Sequence, residues 1–305
     1  MPTTRVWPWL GLGVLVLVGS VPARATQDDV QRTIYVTARD ARGQYVGSLA
    51  PGDLLVKEAG RERVPVRVQP SDERLRVALV LDELLAPNAF VRQALLAFVK
   101  RLRERGDLAL HVVGTRHDTR VDYTSEFYPF LSAINALPAR APYPGNLVAA
   151  LIQIVKYQRP LEGRRAVVVM APEIAQPSNV TAEGVFDELR DGGAVMHAAT
   201  FVGWQTGGAA LQQVPATRLE GGDLTQVVER DRVLSDGPKR SGGLTLQATR
   251  PEVFAAILDQ IGDELLHEYR VTYLVPRGTK SDGRVSVGST RRGVTLRGPT
   301  RLPSL

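Results

Sequence analysis

Hydrophobic positions along this chain follow two patterns in succession. Over residues 28–72 they alternate with polar ones, in Thr33–Thr37, Tyr45-Val46, Leu54–Glu58 and Val64–Val68. A period of two marks half-buried strands, and the intervening turns at Ala41–Gln44 and Ala59-Gly60 predict a small antiparallel β module. Pro65 places the fourth strand at an edge, because proline cannot donate to a ladder. Past residue 74 the pattern changes. Leu75–Asp82 is a continuous apolar run, long enough for a buried strand and too short for a membrane span. Asn88 then caps a helix that places Val91, Ala94, Leu95, Phe98 and Leu102 on one face, with Gly106 as its stop.

The alternation of strand and helix continues from there. Leu108–Val113 reads as a buried strand and Arg120–Thr124 as an edge strand. Tyr128–Leu137 and Leu147–Tyr157 read as helices, Ala166–Met170 as a central strand, Thr181–Arg190 as a helix and Ala194–Val202 as a strand. Residues 203–240 are rich in Gly, Gln and charge without a clear period, which predicts an insertion with one short helix, partly mobile. After a short strand at Leu244–Leu246, Thr249-Arg250-Pro251-Glu252 has the form of a capping box. The helix it opens buries Phe254, Ile257, Leu258, Ile261 and Leu265. Tyr269–Val275, Arg284–Val287 and Gly293–Arg297 are further strands. Strands alternating with helices predict an α/β, Rossmann-like fold with a mostly parallel sheet flanked by helices. The expected organisation is a leader over 1–25, a β module over 26–73, an α/β domain over 74–276 and a basic β tail over 277–305.

Composition adds location. Arg5, the apolar stretch Trp9–Val18 and Ala23-Arg24-Ala25 have the layout of a secretory signal cut after Ala25, so the mature chain is expected to be exported, periplasmic or secreted, without a transmembrane span. The absence of cysteine excludes thiol catalysis, Cys-type zinc sites and an acylated N-terminal cysteine. The net charge is +6, and residues 277–305 alone hold seven basic groups against Asp282. The basic character therefore belongs to the tail, where an anionic polymer such as lipopolysaccharide or an acidic glycan could bind. Nucleic acid is not expected, since no aromatics interleave with these charges.

Ligand sites in open α/β sheets lie at the carboxyl ends of the strands, which draws the eye to Asp82 and the loop Glu83, Leu84, Leu85, Ala86. The N-terminal segment places Val36-Thr37, Asp40, Gly43, Val46, Leu49, Asp53-Leu54, Val56, Glu58 and Gly60 at fixed spacing, and Ser241-Gly242-Gly243, Glu264-Leu265, Tyr269, Val271, Tyr273 and Pro276 follow far downstream. In these pieces and their order the chain resembles the von Willebrand factor A-related proteins secreted by bacteria such as acidobacteria. The resemblance implies an A domain whose first loop would read Asp-x-Ser-x-Ser and hold Mg²⁺. Here Leu84 and Ala86 stand at the serine positions. Asn146 stands where the second loop would supply Thr, and Glu173 follows the strand where the third would supply Asp. Mg²⁺ demands near-octahedral oxygen geometry, so the adhesion site is read as degenerate, with no metal and no cofactor. A rebuilt cation site from Asp82, Glu83, Asn146 and Glu173 is the alternative.

Neither a nucleophile elbow nor a phosphate-binding loop is present, and His111, His117, His197 and His267 lack metal-site spacing. The expected function is a non-enzymatic, metal-independent protein-binding or adhesion-type module whose partner is an unidentified protein or envelope component. Its contact surface would be the crevice loops, with Leu84 and Leu85 as apolar contacts. Two alternatives stand beside it: an exported hydrolase using Asp82 and Glu173 as an acid–base pair, and a structural subunit docking through the β module or tail.

Overall fold

The computed structural model describes residues 29–139, 145–174, 178–202 and 224–303, with the side chains of 224–227 left out. The leader expected over 1–25, and the part of the expected insertion at 203–223, lie outside the described residues.

The α/β unit is built on a six-stranded sheet. Its strands are β5 (Leu75–Asp82), β6 (Gly106–Val113), β7 (His117–Thr124), β8 (Arg164–Pro172), β9 (Val195–Phe201) and β10 (Thr245–Ala248). They lie in the order β10-β9-β8-β5-β6-β7. All neighbours run parallel except β7, which returns antiparallel along β6 at the edge. Relative to the first strand of the unit this is the doubly wound order, in which consecutive strands build outward to one side and then, after a switch, to the other. The chain thus carries the α/β fold its pattern predicts.

Side-chain alternation along β5 explains why helices cover both faces. Leu75, Val77, Leu79 and Leu81 point into one apolar layer with α1 (Ala89–Leu102), α2 (Phe127–Asn135) and α6 (Phe254–Leu266). Ala78 and Val80 point into the other, against α3 (Leu147–Gln158), α4 (Ala182–Gly192) and α5 (Leu224–Ser241). The Asn88 side chain accepts from the backbone N–H groups of Phe90 and Val91, so the predicted cap forms. Gly106 does not end α1. It opens β6, where a Cβ would overlap the Leu75 carbonyl of the neighbouring strand. The expected capping box also does not form: Arg250 precedes a 3-10 turn over Pro251–Val253, without a side-chain cap, and α6 begins only at Phe254.

The β module differs from the sequence reading in composition. β1 (Asp29–Arg39), β4 (Pro65–Pro70), β11 (Tyr269–Pro276) and β13 (Thr295–Arg297) form one sheet in the order β13-β1-β11-β4. β2 (Leu54–Glu58), β3 (Arg61–Arg63) and β12 (Val285–Ser289) form a second, ordered β12-β2-β3. β11, assigned from sequence to the α/β domain, instead pairs antiparallel with β1 from Asp29↔Pro276 to Val36↔Tyr269. The tail is not a separate strip. Its strands pair with β1 and β2, and a third apolar core gathers Ile34, Val36, Leu54, Val56, Val271, Tyr273 and Val285. The physical reason is pairing and burial: β1 and β4 do not bond to each other, and β11 lies between them, pairing with both and adding Val271, Tyr273 and Val275 to their apolar face.

The largest departure is α5. Over Leu224–Ser241 the chain is an 18-residue helix, where one short helix was expected. Gly237-Pro238 reads as a breaker in sequence, yet Pro238 sits inside the helix. A Cβ at Gly237 would press on the Met196 sulfur. Arg230, Val233 and Leu234, one to two turns earlier, are buried on the same side.

Candidate functional site

Asp82 ends the strand at which the sheet order switches direction, with β6 on one side and β8 on the other. It is fully buried. Its Oδ1 accepts the backbone N–H of Leu84 at 3.0 Å, closing a 3-10 turn over Glu83–Leu85. Its Oδ2 accepts Nη2 of Arg230 at 3.0 Å. The same Nη2 donates to the Pro172 carbonyl at the end of β8, at 2.9 Å. Arg230 is itself 1 % exposed. A guanidinium from α5 therefore bridges the ends of β5 and β8, the place where the resemblance implies a divalent cation. Burial pushes the Asp82 carboxyl above its usual range, while Arg230 and the Leu84 N–H pull it back. A buried carboxylate without such a partner would be prohibitively costly.

The remaining predicted residues do not converge on Asp82. Leu84 and Leu85 are buried, as is Ala86, so the expectation that Leu84 and Leu85 form an exposed apolar contact is corrected. The 3-10 turn folds them inward, and each leucine gains roughly 1.5–3 kcal/mol from leaving water. Glu83 is half-buried, with its carboxylate over Gly114, where a Cβ would collide with it. Asn146 caps α3 by accepting the Ala149 N–H at 3.0 Å. It also donates to Asn179 Oδ1 at 2.7 Å and accepts from Ser178 at 3.3 Å. Glu173 accepts from Thr200 Oγ1 at 3.1 Å and from Gln247 Nε2 at 2.8 Å. It lines a separate cavity of about 430 Å³ together with Asp231, whose carboxyl is raised by burial and by Glu173. The acid–base pair of Asp82 and Glu173 is therefore not formed: one is held by Arg230, the other by a hydroxyl and an amide.

The donor set does not fit Mg²⁺. Both Asp82 oxygens are engaged, and hydrocarbon fills the two positions that would carry hydroxyls. Asn146 spends its oxygen on a helix cap. Among the described residues no three His, Cys, Asp or Glu side chains gather as a metal site. His111 and His197 lie buried in strands as expected, with burial lowering their pKa values to about 4 and about 3. His267 ends α6, and its Nδ1 lies 2.8 Å from the Asp263 carbonyl.

Sequence reasoning missed Arg230, because Glu229-Arg230-Asp231-Arg232 reads as a solvated charge run. The one usable signal was indirect: an Asp closing a wholly apolar strand requires a countercharge from somewhere.

No family model and no curated protein matches this chain. Solved structures do. BatB from Bacteroides thetaiotaomicron is 15% identical over 63% of this chain and 98% of its own, with a TM-score of 0.44. The vWF domain of the type V pili tip protein Mfa5 from Porphyromonas gingivalis is 10% identical over 64% and 96%, with a TM-score of 0.41. The SpRpn10 VWA domain is 11% identical over 61% and 95%, with a TM-score of 0.40. The order and direction of its own six strands, with Asp82 at the switch point, give this chain a doubly wound, mostly parallel α/β fold, and two of the structures it is similar to are described as vWF or VWA domains.

Proposed function

We propose that the chain is an exported, non-enzymatic protein-binding module that engages its partner without a metal ion. The observation that carries this reading is the Arg230 guanidinium on Asp82. It supplies a positive charge at the switch point from within the chain. A carboxylate neutralised and buried in this way is neither a metal ligand nor a general base. The surface left for recognition is the outer rim of the strand-end loops. Phe90 at the start of α1 is 47 % exposed. Pro87, Thr115, Arg116 and Asn179 are exposed as well. Aromatic and arginine side chains are among those that dominate binding energy in protein interfaces.

The test uses the chain from residue 26 onward, immobilised and incubated with envelope extract, with and without EDTA. A discrete protein is expected to be retained in both conditions and released by Phe90→Ala or Arg116→Ala. Melting with EDTA and with excess Mg²⁺ should coincide. Capture that needs Mg²⁺, or a melting temperature that falls on chelation and returns with the ion, overturns the proposal.

A further inference from the structure

At the opposite end of the same sheet lies a cavity of about 410 Å³. It opens beside the start of β8, while the crevice lies at that strand's end, roughly 26 Å away at about 3.3 Å per residue. Its walls come from the α/β unit and from the β module together. Arg164, Arg165 and the C-terminal ends of α4 and α5 face β1, Arg270 of β11 and the tail residues Asp282 and Arg301. The volume suits a ligand the size of a monosaccharide derivative.

Six arginines line it, and their partners separate them into two groups. Four meet carboxylates. Arg164 forks onto Glu268 with both bonds at 2.8 Å. Arg190 meets Asp187 and Asp191, Arg240 meets Glu183, and Arg270 meets Glu73 through Nη1 at 3.1 Å. Arg165 and Arg301 meet none among the described residues. Arg165 donates Nη1 to the carbonyls of Arg159 and Leu161, and its buried Nε has no hydrogen-bond partner there. The Arg270 Nε is buried and unpartnered in the same sense. Arg301 is exposed at the cavity wall. Burial, with Arg164 alongside, lowers the pKa of the Arg165 guanidinium.

Arginines near helix C-termini have an ordinary explanation in the helix dipole. Here that demand is met in part by Arg164, whose Nη1 donates to the Gly193 carbonyl just past α4. Arg165 and Arg301 remain without a direct carboxylate contact among the described residues, in a concave, partly apolar space where Glu73 and Asp282 act on them only from a distance. Guanidinium donors in such a space select oxyanions, phosphate above all. The same wall carries Glu183, Asp187 and Asp282, with Thr33 and Ser241. Carboxylates and hydroxyls of this kind accept from and donate to the hydroxyls of a polyol. A nucleobase is disfavoured, because the two lining aromatic rings are each covered by a guanidinium: Arg164 lies 4.1 Å from the Tyr35 centroid and Arg240 lies 4.0 Å from that of Phe186.

We propose that this cavity binds a phosphate monoester of a sugar, with the phosphate held by Arg165 and Arg301 and the sugar hydroxyls by the acidic wall. Anion binding is thereby concentrated in one enclosed place where the tail meets the body. Arg297, by contrast, is committed to Glu264, and Arg284 to Asp282. The ligand has two possible sources, a soluble sugar phosphate and the phosphorylated sugar headgroup of an envelope lipid.

Calorimetric titration of the chain from residue 26 onward separates these cases. The probes are glucose 1-phosphate, glucose, inorganic phosphate, and phosphatidylcholine vesicles with and without diphosphoryl lipid A. Glucose 1-phosphate or the lipid A vesicles are expected to bind, more tightly than inorganic phosphate and more weakly as salt is raised. Binding to the vesicles alone assigns the lipid source. Arg301→Gln and Arg165→Gln should each weaken binding about tenfold, the value of one charge-assisted hydrogen bond. Tyr128→Ala, at an exposed residue of α2 outside the cavity, should leave it unchanged. Circular dichroism of each variant checks that the fold is kept. Absence of binding to both sugar-phosphate probes overturns the proposal, and so does equal binding of unphosphorylated glucose. Affinity indifferent to both arginine substitutions overturns it as well.

Discussion

Replacing Arg230 by methionine keeps the unbranched stem and the helix propensity of α5 and removes only the charge that faces Asp82. Both partners are buried, at 1 % and 0 % exposure. Deleting one member of such a pair strands the other, at a cost of about 3–5 kcal/mol. For a protein of this size that corresponds to a melting temperature lower by roughly 6–15 °C. The pH dependence follows from the direction of the Asp82 shift. Its folded pKa lies above the ordinary value because of burial, with Arg230 opposing. The folded state therefore holds the proton more tightly than the unfolded chain does. The stability linked to that proton is full below the ordinary carboxylate pKa and is lost as pH rises through the folded one. Removing Arg230 takes away the strongest opposing influence and moves the folded pKa further up. The Arg230→Met penalty should thus be larger at about pH 8 than at about pH 5. Adding Asp82→Asn removes the stranded charge, so the double variant should be more stable than Arg230→Met alone. Urea unfolding followed by circular dichroism at both pH values measures all three quantities. A penalty equal at the two pH values, or a double variant destabilised by the sum of the singles, refutes the reasoning.

Glu264 offers the opposite sign. It is buried, accepts from Arg39 and Tyr45 at 3.0 Å and from Arg297 at 3.1 Å, and also meets Thr37. Burial raises its carboxyl, but the Thr37 hydroxyl, Arg297 and Arg39 outweigh this and leave it below the usual range. Its stabilisation is present above the ordinary carboxylate pKa and fades as pH falls through the folded value. Glu264→Gln should therefore cost about 1–3 kcal/mol near neutrality, since Arg39 and Arg297 keep partial contact with water, and flatten the acid limb of a stability–pH curve; an unaltered acid limb counts against this. Truncation after Pro276 removes β12 and β13, leaving β2 and β1 each short of a neighbour. Loss of a cooperative melt and aggregation on size exclusion are expected, and a monomer melting like the full chain contradicts the pairing.

The sheet and its helices were legible because local signals agreed. β5 and β8 carry the apolar runs Val77–Leu81 and Ala166–Ala171, and Asn88 and the stripe from Val91 to Leu102 specify α1 from cap to buried face. What escaped is what depends on partners distant in sequence. The membership of β11 in the β module follows from β1, over two hundred positions away, and no periodicity within either strand encodes it. α5 escaped for a different reason. Its polar composition and Gly237-Pro238 argue against a helix, and the layer that stabilises it is supplied by β9 and α4. The candidate site was half legible. Asp82 was found from its position at a strand end, whereas Leu84 and Leu85 were placed on the surface because a loop was presumed to face water. The tight 3-10 turn closed by the Asp82 side chain turns them inward instead.

The pairing of β1 with β11 and β13 also sets an order of events. The α/β unit lies within a continuous stretch from β5 to α6 and completes its pairing from its own residues. The first strand of the β module meets partners that leave the ribosome only after the whole α/β unit. Until then β1 to β4 have no complete sheet to join, and joining it closes a loop of more than two hundred residues, a slow, high-contact-order step. A nascent chain thus presents a finished or nearly finished α/β unit and unsatisfied early strands. Final closure is a zipping of the early strands onto the late ones, and the early strands must be kept apart until β11 and β13 arrive.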